Sequence, residues 1–78
     1  MLNQCNFIGH LGRDPDVKDV GGSQKAEFSL AVTKKFKDKN GERKERTEWV
    51  NCVAWGPLAG VIQKYLRKGS KVHVSGEL

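Results

Sequence analysis

No run of apolar residues in this sequence approaches the roughly 20 needed to cross a bilayer as a helix. The N-terminus, Met1-Leu2-Asn3-Gln4, has no basic stretch leading into an apolar one, so no secretory signal is expected. Cysteine is scarce. Cys5 and Cys52 lie far apart and outside any CxxC spacing, which excludes a disulfide framework and a zinc site; both read as small buried or half-buried apolar residues. Only two histidines are present, His10 and His73, and neither has a companion Cys or carboxylate at ligand spacing. No glycine-rich loop leads into Gly-Lys-Ser/Thr, so no phosphate-cradling NTPase signature exists. Gly9-His10-Leu11-Gly12 has the form of a KH-domain GxxG loop, but that loop joins two helices and this one ends a strand. Length is scarce too: 78 residues make one domain with a marginal core. No enzyme, cofactor or metal site is expected.

Positive charge is plentiful. Fourteen Lys and Arg stand against nine Asp and Glu, a net charge of +5. A small basic domain points to an acidic partner, of which nucleic acid is the commonest.

The order of elements follows from the patterning. Cys5 to Leu11 reads as a strand broken at its glycines, and Gly12-Arg13-Asp14-Pro15 as a turn. Asp16 to Gln24, with Gly21-Gly22, reads as a polar loop. Ala26 to Thr33 alternates most clearly: Ala26, Phe28, Leu30 and Val32 share one face, and the polar face is broken only by Ala31. Lys34 to Arg46 holds seven basic and three acidic residues around Asn40-Gly41, a hairpin signal. This is expected to be a ribbon arm, too polar to make a core and mobile without a ligand.

Glu48 to Trp55 is a further strand. Val50, Cys52 and Ala54 serve the core on one side; Trp49, Asn51, Val53 and Trp55 occupy the other. Pro57 opens a helix of about 12 residues, with Leu58, Val61, Ile62, Tyr65 and Leu66 as its apolar stripe. Lys64, Arg67 and Lys68 crowd its last turn, and Gly69 stops it. Lys71 to Ser75 is a last strand. The expected fold is all-β with one helix.

Two features point to single-stranded nucleic acid. Phe36 is flanked by Lys35 and Lys37, and Trp49 and Trp55 share one strand face beside the arm. Aromatic faces stack bases, and a basic groove follows the phosphates. Lys34, Lys35 and Lys37 of the arm, with Lys64, Arg67, Lys68 and Lys71, lay positive charge along a strand path. In the bland alternative the Trp rings pack under the helix and the charge run is a solvated hairpin. The opposite strand face already supplies core residues, which favours stacking.

The chain resembles the bacterial single-stranded DNA-binding protein family, an OB-fold. The resemblance is carried in order by Leu2-Asn3 through Ile8-Gly9-His10-Leu11-Gly12-Arg13-Asp14-Pro15, Phe28-Ser29-Leu30-Ala31, Thr47-Glu48-Trp49, Trp55-Gly56 through Leu58-Ala59, and Tyr65 through Val72. It implies a five-stranded Greek-key barrel with a helix after the third strand, here incomplete, with four of the five strands. It also implies homotetramers built as dimers of dimers, and sequence-independent binding of single-stranded DNA in replication, recombination and repair. The implied setting is the bacterial cytoplasm, at the nucleoid. Family stacking positions fall on Phe36, Trp49 and Trp55, and basic contacts on Lys68 and Arg67. Dimers of the family pair the first strand with its copy, here Asn3, Gln4, Cys5, Asn6, Phe7 and Ile8.

Three departures stand out. Val50 replaces a His that many members carry near the subunit interface, and Asn51 replaces a common basic residue. The sequence also stops in the fourth strand, before a hairpin with another stacking Trp, the closing fifth strand and the acidic tail that recruits replication and repair partners. The competing functional reading is an OB-fold assembly module of a primosome-like complex with weak nucleic-acid binding, which would not need both Trp residues exposed. A cold-shock-like RNA-binding domain would cluster aromatics on adjacent early strands, a pattern absent here.

Overall fold

Alternating inward apolar and outward polar side chains organise nearly the whole chain. The computed structural model describes residues 4–77. In chain order it holds β1 (Gln4–Leu11), β2 (Asp16–Val20), β3 (Ser23–Lys37), β4 (Arg43–Trp55), α1 (Pro57–Tyr65) and β5 (Lys71–Glu77). All strand pairs are antiparallel. β4 covers one edge of β3 along Lys25–Lys37. The other edge of β3 is shared by β2, at Ser23–Glu27, and by the end of β1, at Leu30 and Ala31. β1 then continues against β5 from Gln4 to His10. The spatial order is therefore β4, β3, β1, β5, a curled sheet with β2 as a short addition.

The inward face of β3 forms the centre of the core. Ala26 and Leu30 are fully buried and Phe28 nearly so, joined by Leu11, Ala59 and Ile62. Phe7, Val32, Val50, Cys52, Val72 and Val74 pack around them, half-buried. Gly9 sits where β1 crosses β3, and a Cβ there would collide with the Ala31 carbonyl. The glycine lets the strand run through unbroken, where a break was expected.

Three other expectations need correcting. The polar loop at Asp16–Gln24 contains β2, joined to β3 through Gly21 and Gly22, both at positive φ. β2 hid because it is an edge strand with only Val17 turned partly inward; edge strands carry charge on both faces. α1 has nine residues, not 12. It ends at Tyr65, Leu66 is extended, and Arg67 and Lys68 lie beyond it. Its buried side chains are Ala59 and Ile62, while Leu58, Val61 and Tyr65 of the expected stripe stand exposed.

The exposed helix residues border an open groove of about 440 Å³, floored by Phe7, Phe28, Val50, Cys52 and Val72. It runs between β4 and β5, whose outer edges have no pairing strand among the described residues. The expected incomplete barrel is thus observed as a sheet that curls but does not close. Beyond it the β3–β4 ribbon projects, which makes the chain 54 Å long but only 15 Å thick.

Candidate nucleic-acid interface

The register of β3 against β4 sorts their side chains onto two faces. The outward face carries the pairs Lys25–Trp55, Glu27–Val53, Ser29–Asn51, Ala31–Trp49, Thr33–Thr47, Lys35–Glu45 and Lys37–Arg43. The opposite face begins with the core pairs and continues onto the arm with Val32–Glu48, Lys34–Arg46 and Phe36–Lys44. Trp49 and Trp55 therefore share one surface, 62% and 52% exposed. They lie six positions apart, roughly 20 Å along a strand. Phe36, 47% exposed, lies on the other face of the ribbon. A chain stacked on both tryptophans reaches Phe36 only by following the ribbon's twist or crossing its edge.

Trp49 is seated by small residues. Ala31 is opposite it in register, and its six-membered ring occupies the space a Cβ on Gly12 would take. This explains the one apolar break in the polar face of β3: a large side chain at 31 would lift the indole. Between the tryptophans, Ser29 Oγ donates to Asn51 Oδ1 at 3.1 Å. Val50 points the other way, opposite Leu30, and lines the groove.

At the other tryptophan, the Lys25 ammonium lies over the Trp55 ring, 5.5 Å from its centroid. It also pairs with Glu27 Oε1 at 2.7 Å. Lys25 was not among the residues anticipated from sequence, because Lys25 alone within a polar stretch signals nothing until the register sets it against Trp55.

The arm is a hairpin closed by five residues, 38–42, rather than by a two-residue Asn-Gly turn. Asp38 Oδ1 accepts from the Asn40 and Glu42 amides, both at 2.9 Å, and Gly41 takes positive φ. Four of its seven cations are matched by carboxylates. Lys34 and Arg46 converge on Glu48 at 3.2 and 2.6 Å, Lys35 meets Glu45 at 3.9 Å, and Lys44 meets Asp38 at 3.5 Å. The hydrogen bond and charge of Lys34 hold the Glu48 carboxyl below its ordinary range, with Arg46 adding to it. Lys25 does the same for Glu27. Burial pushes the Cys52 thiol up, as its place on the groove floor requires.

The second basic cluster is stitched to the end of β1. Gly69 N donates to the Leu11 carbonyl at 2.8 Å, Leu11 N to Ser70 O at 3.0 Å, and Lys68 N to Asp14 Oδ1 at 2.7 Å. Lys68 is thereby fixed beside the strand end that supports Trp49. Arg67 Nη1 donates to the Gln63 and Leu66 carbonyls at 2.6 and 2.7 Å, so this side chain caps the helix end. Lys71 is exposed at the start of β5, opposite His10.

In β1, Gln4, Asn6 and Ile8 are exposed, while Cys5 and Phe7 turn inward. One edge of this strand pairs with β5; the other, from Gln4 to Ile8, is unpaired among the described residues. Asn3 lies outside them.

The single-strand binding protein family model matches residues 2–78. Single-stranded DNA-binding protein 1 of Chlorobaculum tepidum is 45% identical over 78 residues, covering 99% of this chain and 48% of that protein. The single-stranded DNA-binding protein of Xanthomonas axonopodis pv. citri is also 45% identical, with 43% of its length covered. The chain thus spans a little under half the length of these curated relatives. Among solved structures, the Plasmodium falciparum SSB complex with ssDNA superposes with a TM-score of 0.92 at 39% identity, covering 99% of this chain and 69% of that one. A deletion mutant of the single-stranded DNA binding protein from Thermus aquaticus gives 0.91 at 29% identity, covering 99% and 38%. Sequence and fold agree along the whole length, and the chain belongs to the single-strand binding protein family.

Proposed function

We propose that this chain binds single-stranded DNA without sequence preference, serving replication, recombination and repair, with bases stacked on Trp49 and Trp55. The observation that carries this reading is the exposure of both indoles on one sheet face whose reverse side is core. Two aromatic side chains exposed on one strand face offer bases a place to stack, and stacking needs no particular sequence because every base has a π-face. Phe36 extends the stacking path onto the arm. Lys34, Lys35, Lys37, Lys68 and Lys71 meet phosphates beside it, and Arg67 adds charge at the helix end. Two chains pair through the unpaired edge of β1 about a two-fold axis, since no charge or Pro in Gln4–Ile8 blocks that edge. Two such dimers make a tetramer.

Tryptophan fluorescence titration with poly(dT) at several salt concentrations tests this directly. Trp49→Ala and Trp55→Ala should each weaken binding by about 1–3 kcal/mol. The affinity should fall with salt at a slope of about −0.7 per phosphate contacted. Unchanged fluorescence, or a flat salt response, would point to an assembly surface instead. A monomer in sedimentation at micromolar concentration would remove the β1 dimer.

A further inference from the structure

The Lys25–Glu27 pair stands apart from the arm and from the cluster after α1, at the far end of the outward face. Lys25 is opposite Trp55 on β4, and on its other side opposite Lys18 of β2. Glu27, two residues on and on the same face, is opposite Asp16. Lys18 pairs with Asp16 at 3.5 Å. The four charges form a square of two cations and two carboxylates, and Trp55 borders the cation side.

We propose that Trp55 and Lys25 form one nucleotide subsite, in which the indole stacks a base and the Lys25 ammonium takes the adjoining phosphate. Glu27 holds the phosphate's place in the free protein. The inference rests on the reading of this face as a DNA surface and adds a contact that reading does not contain.

Three observations carry it. The ammonium lies over the ring itself, so a base arriving at that face meets the cation at once. Its current partner is a carboxylate oxygen, an oxyanion like the phosphate oxygen that would replace it, so the exchange conserves charge at Lys25. The pair is partly exposed, 29% at Lys25 and 41% at Glu27; such pairs are weakly held, and Glu27 returns to water when released. The long lysine stem lets the head leave the ring without moving β3.

The test is oligo(dT) binding followed by Trp fluorescence across a salt series, for the wild-type chain, Lys25→Met, Lys25→Arg and Glu27→Gln. Lys25→Met should reduce the magnitude of the salt slope by about 0.7, the value for one phosphate, and Lys25→Arg should restore it. Glu27→Gln should tighten binding at low salt by up to about fivefold, the range of an exposed pair. If Lys25 only props the indole, Lys25→Met weakens binding but keeps the full slope, and the subsite is overturned. Weaker binding by Glu27→Gln would overturn it as well. If the wild-type chain does not bind oligo(dT), the reading of the whole face fails and the subsite with it; if it binds and only the slope change is missing, the subsite alone falls.

Discussion

At Gly12 one added methyl group meets the Trp49 indole. The glycine is not at positive φ, so alanine brings no backbone strain there. The obstacle is an exposed ring that can swing aside. Gly12→Ala should therefore cost less than about 1 kcal/mol of stability, as at most surface positions. It should still weaken oligo(dT) binding by a sizeable part of the roughly 1–3 kcal/mol per stacked base. Denaturation and titration of the same variant separate the two. A second residue-scale prediction concerns Glu27, whose carboxyl is held below its ordinary range by Lys25. A lowered value means the pair favours the charged form. Its contribution is present above the ordinary glutamate range and is lost as pH falls through the lowered value. An NMR titration of the Glu27 carboxyl carbon should find its midpoint low in the wild type and back near the ordinary value in Lys25→Met. An unshifted wild-type midpoint would refute the pairing.

Among the elements, the arm differs most from the rest. Lys34–Arg46 has Phe36 as its only apolar side chain, and its ion pairs are exposed. Exposed pairs add little, and a ribbon without apolar cover on either face opens readily. Amide exchange in the free protein should be fastest there among internal segments and slow at Ala26–Leu30, where β3 is buried. Saturating oligo(dT) should slow the arm. Strong protection without DNA would show that cross-strand ion pairs alone rigidify it. The helix teaches a related lesson. Its stripe was legible as apolar positions, but which of them are buried depends on where the sheet lies: α1 seats Ala59 and Ile62 and leaves Leu58, Val61 and Tyr65 facing the groove.

For the molecule as a whole, the groove is the place where lower stability is expected. Two strand edges and an apolar floor face one another across it, and unpaired edges invite pairing with other chains. Extending the chain with the residues that follow the matched region in the Chlorobaculum tepidum relative tests whether a further strand fills the gap between β4 and β5. Even 1–2 kcal/mol from that strand would raise the melting temperature of a domain this size by about 4–16 °C. Cys5 and Cys52 line the groove, so their reaction with a thiol reagent should slow in the extended protein. Equal melting temperature and equal thiol reactivity in both forms would show that the open edge is no defect.

The sequence by itself determined the strands with strong alternation, the start of the helix at Pro57, and the two faces of β4. Period-2 patterning and capping residues act locally and can be read locally. The stacking pair was legible for the same reason, since Val50, Cys52 and Ala54 claim the inward face and leave Trp49 and Trp55 outside. Tertiary structure alone decided the rest. β2 forms because β3 offers it an edge. Phe36 falls on the face opposite the tryptophans because the register of β3 on β4 puts it there. Arg67 turns to the helix end because α1 stops a turn early and leaves carbonyls to satisfy. Gly12 under Trp49 and Lys25 over Trp55 join residues 37 and 30 positions apart, and a contact at that separation has no local signal.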